Sequence, residues 1–435
     1  MTQLLQRPDG DDARPKAPPT NEEQRQALQR MLLVVAAGVL AAIATHTTKT
    51  VAVIVAVMAM IMLHEFGHFT MAKRAGMKVT EFFLGFGPRL WSVRRGETEY
   101  GVKAVVLAGG YVRILGMSNL EDVDPADEPR TYRAQSYPKR ISVVVAGSVM
   151  HFIIAFLLLF VLNSVVGVIH PERTGADVRE IIRFDGGAPS PAERAGLRID
   201  DRVLRVDGRE VTKPSTLTGY IRQHPDEPID LDLLRDGRVQ RVTVEPVDAS
   251  SVRVKGKRVT GDHVGFVGVS VGEPYRVDKA NPAVALGRAG RDLGRVSWLS
   301  VRGLADLVSF HGIRSYGDQL TGKTPPGDPG EQPRLLSPVG LVRVASQAAD
   351  SGLREVLFLL VAINIFVGIL NMAPLLPFDG GHVAIATYER LRSRKGKRYQ
   401  VDVAKLMPIT YAVVMLFVFV AITALYLDIT KPLKF

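Results

Sequence analysis

The sequence has no cysteine among its 435 residues. This excludes a disulfide-stapled secreted scaffold, a thiolate zinc finger, a cysteine nucleophile and an iron–sulfur cluster. Any metal must be held by histidine and carboxylate. The chain also lacks a patch in which basic and aromatic residues interleave on a soluble face. Its net charge of +11, from 55 Lys and Arg against 44 Asp and Glu, therefore does not point to nucleic acid. At 46% hydrophobic and 23% charged, the averages are those of an ordinary soluble protein of about three folding units. The apolar residues are nevertheless distributed very unevenly.

Four runs, Val51 to Ala72, Ile141 to Ile169, Val356 to Ala373 and Met407 to Leu427, meet the roughly 20 helical residues that a bilayer core requires. A fifth, Met31 to Ala44, is shorter and stays open between a span, a re-entrant segment and an extended leader. Basic residues gather between the runs: Lys73, Arg74 and Lys78, then Lys139 and Arg140, then Arg390, Arg392, Arg394, Lys395, Lys397 and Arg398. Alternation across a bilayer puts them all on one side, which the positive-inside rule makes the cytoplasm. The expected class is a polytopic α-helical protein of the cell (plasma) membrane.

The expected divisions follow from these runs. They are a disordered cytoplasmic tail at 1–30, a possible extra transmembrane helix at 31–48, and four core transmembrane helices at 49–75, 139–169, 354–383 and 405–428. Between them lie a cytoplasmic-side, membrane-associated β region at 76–138, an extracytoplasmic domain at 174–273, amphipathic helices and linker at 274–350, and a basic cytoplasmic segment at 384–404. Strand-like alternation around Arg95-Gly96-Glu97 predicts a hairpin or small sheet against the membrane, with Gly109-Gly110-Tyr111 close to the second span.

His64-Glu65-Phe66-Gly67-His68 carries the chemistry. Residues i and i+4 share a helix face, so both imidazoles can reach one Zn²⁺, while Glu65 beside them can take a proton from an attacking water. Three ionisable side chains in an apolar run are expensive in lipid unless they have a function or partners. Two histidines leave zinc short of a third protein ligand. Asp379 is the best candidate, because Asn371-Met-Ala-Pro374-Leu-Leu-Pro377-Phe-Asp379-Gly380-Gly381-His382 interrupts the third run. Pro374 and Pro377 forbid a regular helix there, and broken backbone at membrane depth is tolerated only where protein or a wet cavity satisfies it. The competing reading is that Asp379 merely caps the helix that follows.

HExxH in one span and NxxPxxxxDG in a later one resemble the site-2 protease family of intramembrane zinc metalloproteases. The resemblance extends to Gly85-Phe-Gly-Pro88, Gly109-Gly110-Tyr111-Val112 and Ser337-Pro338-Val339-Gly340, and so covers nearly everything from Val51 onward. It implies His64, His68 and Asp379 as zinc ligands, Glu65 as general base, and Asn371 as a residue that contacts substrate or stabilises the tetrahedral intermediate. Members often carry a GPxxN-like sequence where this chain has Gly147-Ser148-Val149-Met150-His151. His151 is open between hydrogen bonding as that Asn does, approaching the metal and facing other helices. The first reading is preferred.

Within 174–273, Ser190-Pro191-Ala192, Ala195-Gly196-Leu197 and Val206-Asp207-Gly208 resemble the signature of bacterial PDZ domains, with Asp200 where a turn Gly is usual. Alternating runs at 229–234 and 239–244 around Asp236-Gly237 supply a hairpin. Such a domain either captures a peptide C terminus by strand addition or acts as a size filter. The stretch from Asn281 to Phe310 reads as amphipathic helix on the membrane surface.

The function expected is hydrolysis of peptide bonds in or near transmembrane segments of single-pass membrane proteins, such as pre-trimmed anti-sigma factors or remnant signal peptides. Backbone near Gly109, Gly110 and Tyr111 would pair with an extended substrate. An inactive membrane scaffold or chaperone with a peptide-binding PDZ domain is the alternative, and it predicts a damaged ligand set. A transporter would show internal repeats and more spans.

Overall fold

The computed structural model describes residues 21–117, 121–172, 174–254, 257–259, 263–321, 323, 335–393 and 399–430. The tail expected at 1–30 lies outside the described residues as far as residue 20, and from Asn21 it is helical, a correction to the disordered reading. Helix α1, Asn21–Ala44, ends at a turn in which His46 has φ +56°, and its described apolar stretch, Val35–Ala44, falls short of a full span. Helix α2, Thr48–Arg74, follows and carries His64, Glu65 and His68. Strands β1, Val79–Arg95, and β2, Thr98–Ile114, form an antiparallel hairpin, and helix α3, Tyr137–Val161, continues as a π-helical turn to Val166.

The hairpin folds back on itself. Phe82 pairs with both Val112 and Tyr100, Phe83 with both Tyr111 and Gly101, and Leu84 with both Gly110 and Val102. Residues 82–84 are thus flanked on both sides, and a two-strand hairpin becomes a compact plate. Ala72, Met77, Val79, Ile114, Tyr132, Val143 and Val144 form the apolar core that fixes this plate to the ends of α2 and α3. At the hairpin tip Glu97 accepts from Lys73 Nζ at 2.6 Å and from Arg130 Nη2 at 2.7 Å.

Residues 163–281 form a separate compact unit. Its elements are β3 (Val168–Pro171), β4 (Ala176–Ile181), α4 (Pro191–Arg194), β5 (Arg202–Val206), β6 (Arg209–Glu210), α5 (Pro214–Gln223), β7 (Ile229–Arg235) and β8 (Arg238–Val244). The short strands β9 (Val247–Asp248), β10 (Arg253–Val254), β11 (Lys257–Arg258) and β12 (Gly265–Phe266) lead to β13 (Val269–Gly272) and β14 (Tyr275–Asp278). The main sheet runs β13-β4-β5-β7-β8 over a core of Val178, Val203, Leu217, Leu231 and Leu233. Ser190 caps α4, Asp200 takes the left-handed conformation with φ +72°, and Asp236-Gly237 turns β7 into β8 with both residues at positive φ. The strand pair β3–β14 corrects two boundaries. The sequence pattern carries the span to 169 and starts the linker at 274, because strands paired across about a hundred residues leave no local signal.

The second part of the helical unit contains α6 (Pro282–Val308), α7 (Phe310–Thr321), α8 (Pro338–Ser351), α9 (Leu353–Asn371), α10 (Asp379–Arg392) and α11 (Met407–Thr430). Trp298, Leu299, Val308, Phe310 and Ile313 are exposed along α6 and α7. Among the described residues four helices are long and apolar enough to cross a membrane: α2, α3, α9 and α11, with α3 and α11 each lengthened by an adjoining turn. The chain is a polytopic membrane protein, and outward-facing Phe417, Phe419 and Ile422 on α11 suit lipid contact.

The span expected at 354–383 is corrected to a 19-residue helix, a loop and a second helix. The loop packs onto α10 so tightly that a Cβ at Gly380 would overlap the carbonyl oxygens of Met372 and Ala373. The basic segment at 384–404 is helical through Arg392, and 394–398 lie outside the described residues. A buried ion pair, Arg140 Nη1 to Glu389 Oε2 at 2.6 Å, ties α10 to α3. At the far end of α11, Asp428 accepts from Ser337 N at 2.8 Å and Ser337 Oγ at 2.7 Å, which holds the start of α8.

Candidate metal centre

His64 and His68 lie one turn apart on the buried face of α2. His68 Nδ1 donates to the carbonyl of Val143 on α3 at 2.8 Å, so its Nε2 keeps the lone pair. The two Nε2 atoms are 3.1 Å apart, and Asp379 Oδ2 is 3.5 Å from His64 Nε2 and 3.3 Å from His68 Nε2. Asp379 is the first residue of α10, directly after the N-cap Phe378, and its carboxylate faces the two imidazoles. Its Oδ2 is buried without a well-aligned donor.

Two imidazole nitrogens and a carboxylate oxygen brought this close together suit a cation. Ligand atoms bonded tetrahedrally to Zn²⁺ at about 2.0–2.1 Å lie about 3.3 Å from one another. The observed 3.1, 3.3 and 3.5 Å bracket that value. Among the described residues this is the one group of three or more His, Cys, Asp or Glu side chains able to hold a metal. His151 is not part of it.

Helix α3 closes the site from one side through Gly147. A Cβ there would overlap His68 Nε2 and His64 Cε1, so only glycine lets α3 approach the two imidazoles. On another side β2 approaches Glu65. A methyl group at Gly110 would meet Met62 Sδ at 2.7 Å and Glu65 Cγ at 3.5 Å, and Gly109 lies against Ile61. Tyr111 is not brought to the cluster by its side chain. It bonds Glu81 and Lys103 and stacks between Phe83 and Phe86. Burial and the adjacent Glu81 carboxylate push its phenol well above the ordinary range, which keeps it protonated.

Asn371 is the last residue of α9, eight positions before Asp379, and is half-buried. Pro374 is exposed and lines a cavity of about 450 Å³ with Leu376, Gly381, Tyr388 and Ile409. Sequence reasoning missed Asn364, which is fully buried on α9 and bonded to His151 at 2.9 Å. A lone polar residue inside an apolar run was the available signal.

Two histidines and an aspartate converging inside a bundle of apolar helices define a membrane-embedded metallohydrolase. Comparison with known proteins gives the particular family. The model of peptidase family M50 matches residues 52–417. The chain is 34% identical over 408 residues to the zinc metalloprotease Rip1 of Mycobacterium tuberculosis, covering 87% of this chain and 96% of that protein. It is 32% identical over 406 residues to Rip1 of Mycolicibacterium smegmatis, with the same coverage. The chain belongs to peptidase family M50, the site-2 proteases. It is a zinc metalloprotease of a bacterial membrane, of the class that carries out intramembrane proteolysis.

Proposed function

We propose that this protein cleaves single-pass membrane proteins within or near their transmembrane segments, after an earlier cut outside the membrane has trimmed them. Anti-sigma factors and remnant signal peptides have this character. The observation that carries the reading is the position of Glu65, beside the His64–His68–Asp379 cluster and against the backbone of β2 at Gly110.

A transmembrane helix hides its carbonyls in hydrogen bonds, so a substrate must be unwound to be cut. Gly110 pairs with Leu84 on one side, and no described strand pairs on its other side. That free edge at Gly109, Gly110 and Tyr111 accepts an extended substrate by main-chain pairing. His64, His68 and Asp379 would hold Zn²⁺, which would supply Lewis acidity for the hydrolysis. Glu65 takes the proton from that water and returns it to the leaving amine. Asn371, at the end of α9, contacts the substrate main chain. Pro374 and its neighbours offer room for an apolar side chain.

The unit at 163–281 serves as a PDZ domain on the extracytoplasmic side, selecting substrates by size or by a new C terminus. Its helix-turn-strand at Ser190 to Val206 and the exposed edge strand β13 support this. The basic residues bordering α2, α3 and α10 support the opposite, cytoplasmic, placement of the β1–β2 plate in the inner membrane. The test is cleavage of a tagged single-pass substrate by wild type and by Glu65→Gln at equal expression. Cleavage by wild type alone is expected, and cleavage that persists in the variant overturns the reading.

A further inference from the structure

The geometry points to a second polar element of the active site, in which His151, held by Asn364, binds the main chain of the substrate; this rests on the proteolytic reading above. His151 lies one turn after Gly147 on α3, so it shares the face pressed against the metal-binding imidazoles. Its ring centroid is 4.8 Å from that of His64, yet its nitrogens fall outside the cluster of ligand atoms. It touches the site without belonging to the ligand set.

The orientation of the ring follows from its partner. Asn364 Nδ2 donates to the carbonyl of Leu360, one turn back, at 2.8 Å, and lies 3.3 Å from Met60 Sδ. A carbonyl can only accept, so the amide's nitrogen end is fixed there and its Oδ1 faces His151. His151 Nδ1 must then be the donor of the 2.9 Å bond. Its Nε2 is left with a lone pair, and the bond to Asn364 is the ring's one hydrogen bond among the described residues. Both residues are buried, His151 at 3% and Asn364 at 0% exposure, between apolar helices. Helix pairing alone would be met by the His151–Asn364 bond and would not need an acceptor beside the metal ligands. An unwound substrate brings peptide N–H groups that have lost their helical partners, and Nε2 is an acceptor for one of them.

The experiment uses the full-length protein in liposomes, comparing His151→Leu, His151→Asn and Asn364→Leu with wild type and Glu65→Gln. Zinc per chain, thermal stability, and kcat and KM on a tagged single-pass substrate are measured. Affinity for the same substrate is measured in a Glu65→Gln background. One hydrogen bond predicts an affinity loss of about three- to tenfold in His151→Leu, with zinc unchanged and partial recovery in His151→Asn. Asn364→Leu is expected to weaken affinity less, and to add little when combined with His151→Leu, because it acts through the same ring. Affinity within twofold of the parent in His151→Leu overturns the proposal, as does loss of zinc in proportion to activity. A wild type that fails to cleave while still losing substrate affinity on His151→Leu substitution would count against the proteolytic reading and leave this contact standing.

Discussion

His68 Nδ1 lies 2.8 Å from the carbonyl oxygen of Val143, so α3 fixes the ring of a metal-binding residue on α2. The bond sets which nitrogen faces Asp379 before any metal arrives. A preoriented second partner of this kind is a regular feature of histidine metal sites.

Removing a ligand should empty the site. His64→Ala or Asp379→Ala is expected to reduce bound zinc from about one per chain to near none, with loss of cleavage. Metal analysis of protein purified without added zinc checks this, and Glu65→Gln, which spares the ligands, should keep its zinc.

Gly147→Ala should disable the site without touching any ligand. The new methyl group overlaps both imidazoles, so either the rings or α3 must shift. Displacement of reacting groups by about 1 Å can cost 100-fold in rate, and a loss of that order is expected together with weaker zinc retention under chelator challenge. An alanine variant with wild-type rate and zinc would show that α3 stands farther away.

Arg140 and Glu389 are 9% and 7% exposed, and each would be left as an uncompensated buried charge without the other. Glu389→Leu or Arg140→Leu is expected to lower stability by about 3–5 kcal/mol, while the double leucine variant recovers most of it. Thermal unfolding in detergent reads the stability. The single variants should also lose zinc more readily, since α10 begins with Asp379.

The hairpin tip gives a pH dependence. Burial alone would raise the Glu97 carboxyl, but hydrogen bonds from Lys73 and Arg130 outweigh it and hold it below its ordinary 4.5. A pKa depressed on folding contributes attachment that is present above 4.5 and lost as pH falls through the lower, folded value. Proteolysis at the tip should therefore stay slow at pH 5 and rise only in stronger acid. In Glu97→Gln it should be fast at every pH.

What could be read from the sequence was whatever is costly in a membrane. His64, Glu65, His68 and Asp379 stand out because ionisable groups in apolar runs demand a reason, and Pro374 and Pro377 because they break a helix. Asn364 is neutral, has no spaced companion, and acquires meaning only when α9 packs against α3 and meets His151. A helix after Asp379 was legible, but the seat that Gly380 gives the preceding loop was not, because a close approach of backbone to backbone leaves no pattern in the sequence. The fold-back of β1 over β2 was illegible for a different reason. Each of residues 82–84 has two partners, and alternation in a strand reports one face only.

The bond between Asp428 and Ser337 sets where the chain may be shortened. Residues 428 and 337 are 91 positions apart, and the carboxylate that completes the first turn of α8 comes from the last turn of α11. A deletion that spared every catalytic group but stopped at residue 427 would still unseat α8, whose Ala345 and Ala349 pack in one apolar cluster with Val53 and Met60 of the histidine-bearing α2. Affinity tags and reporter fusions therefore belong after Thr430.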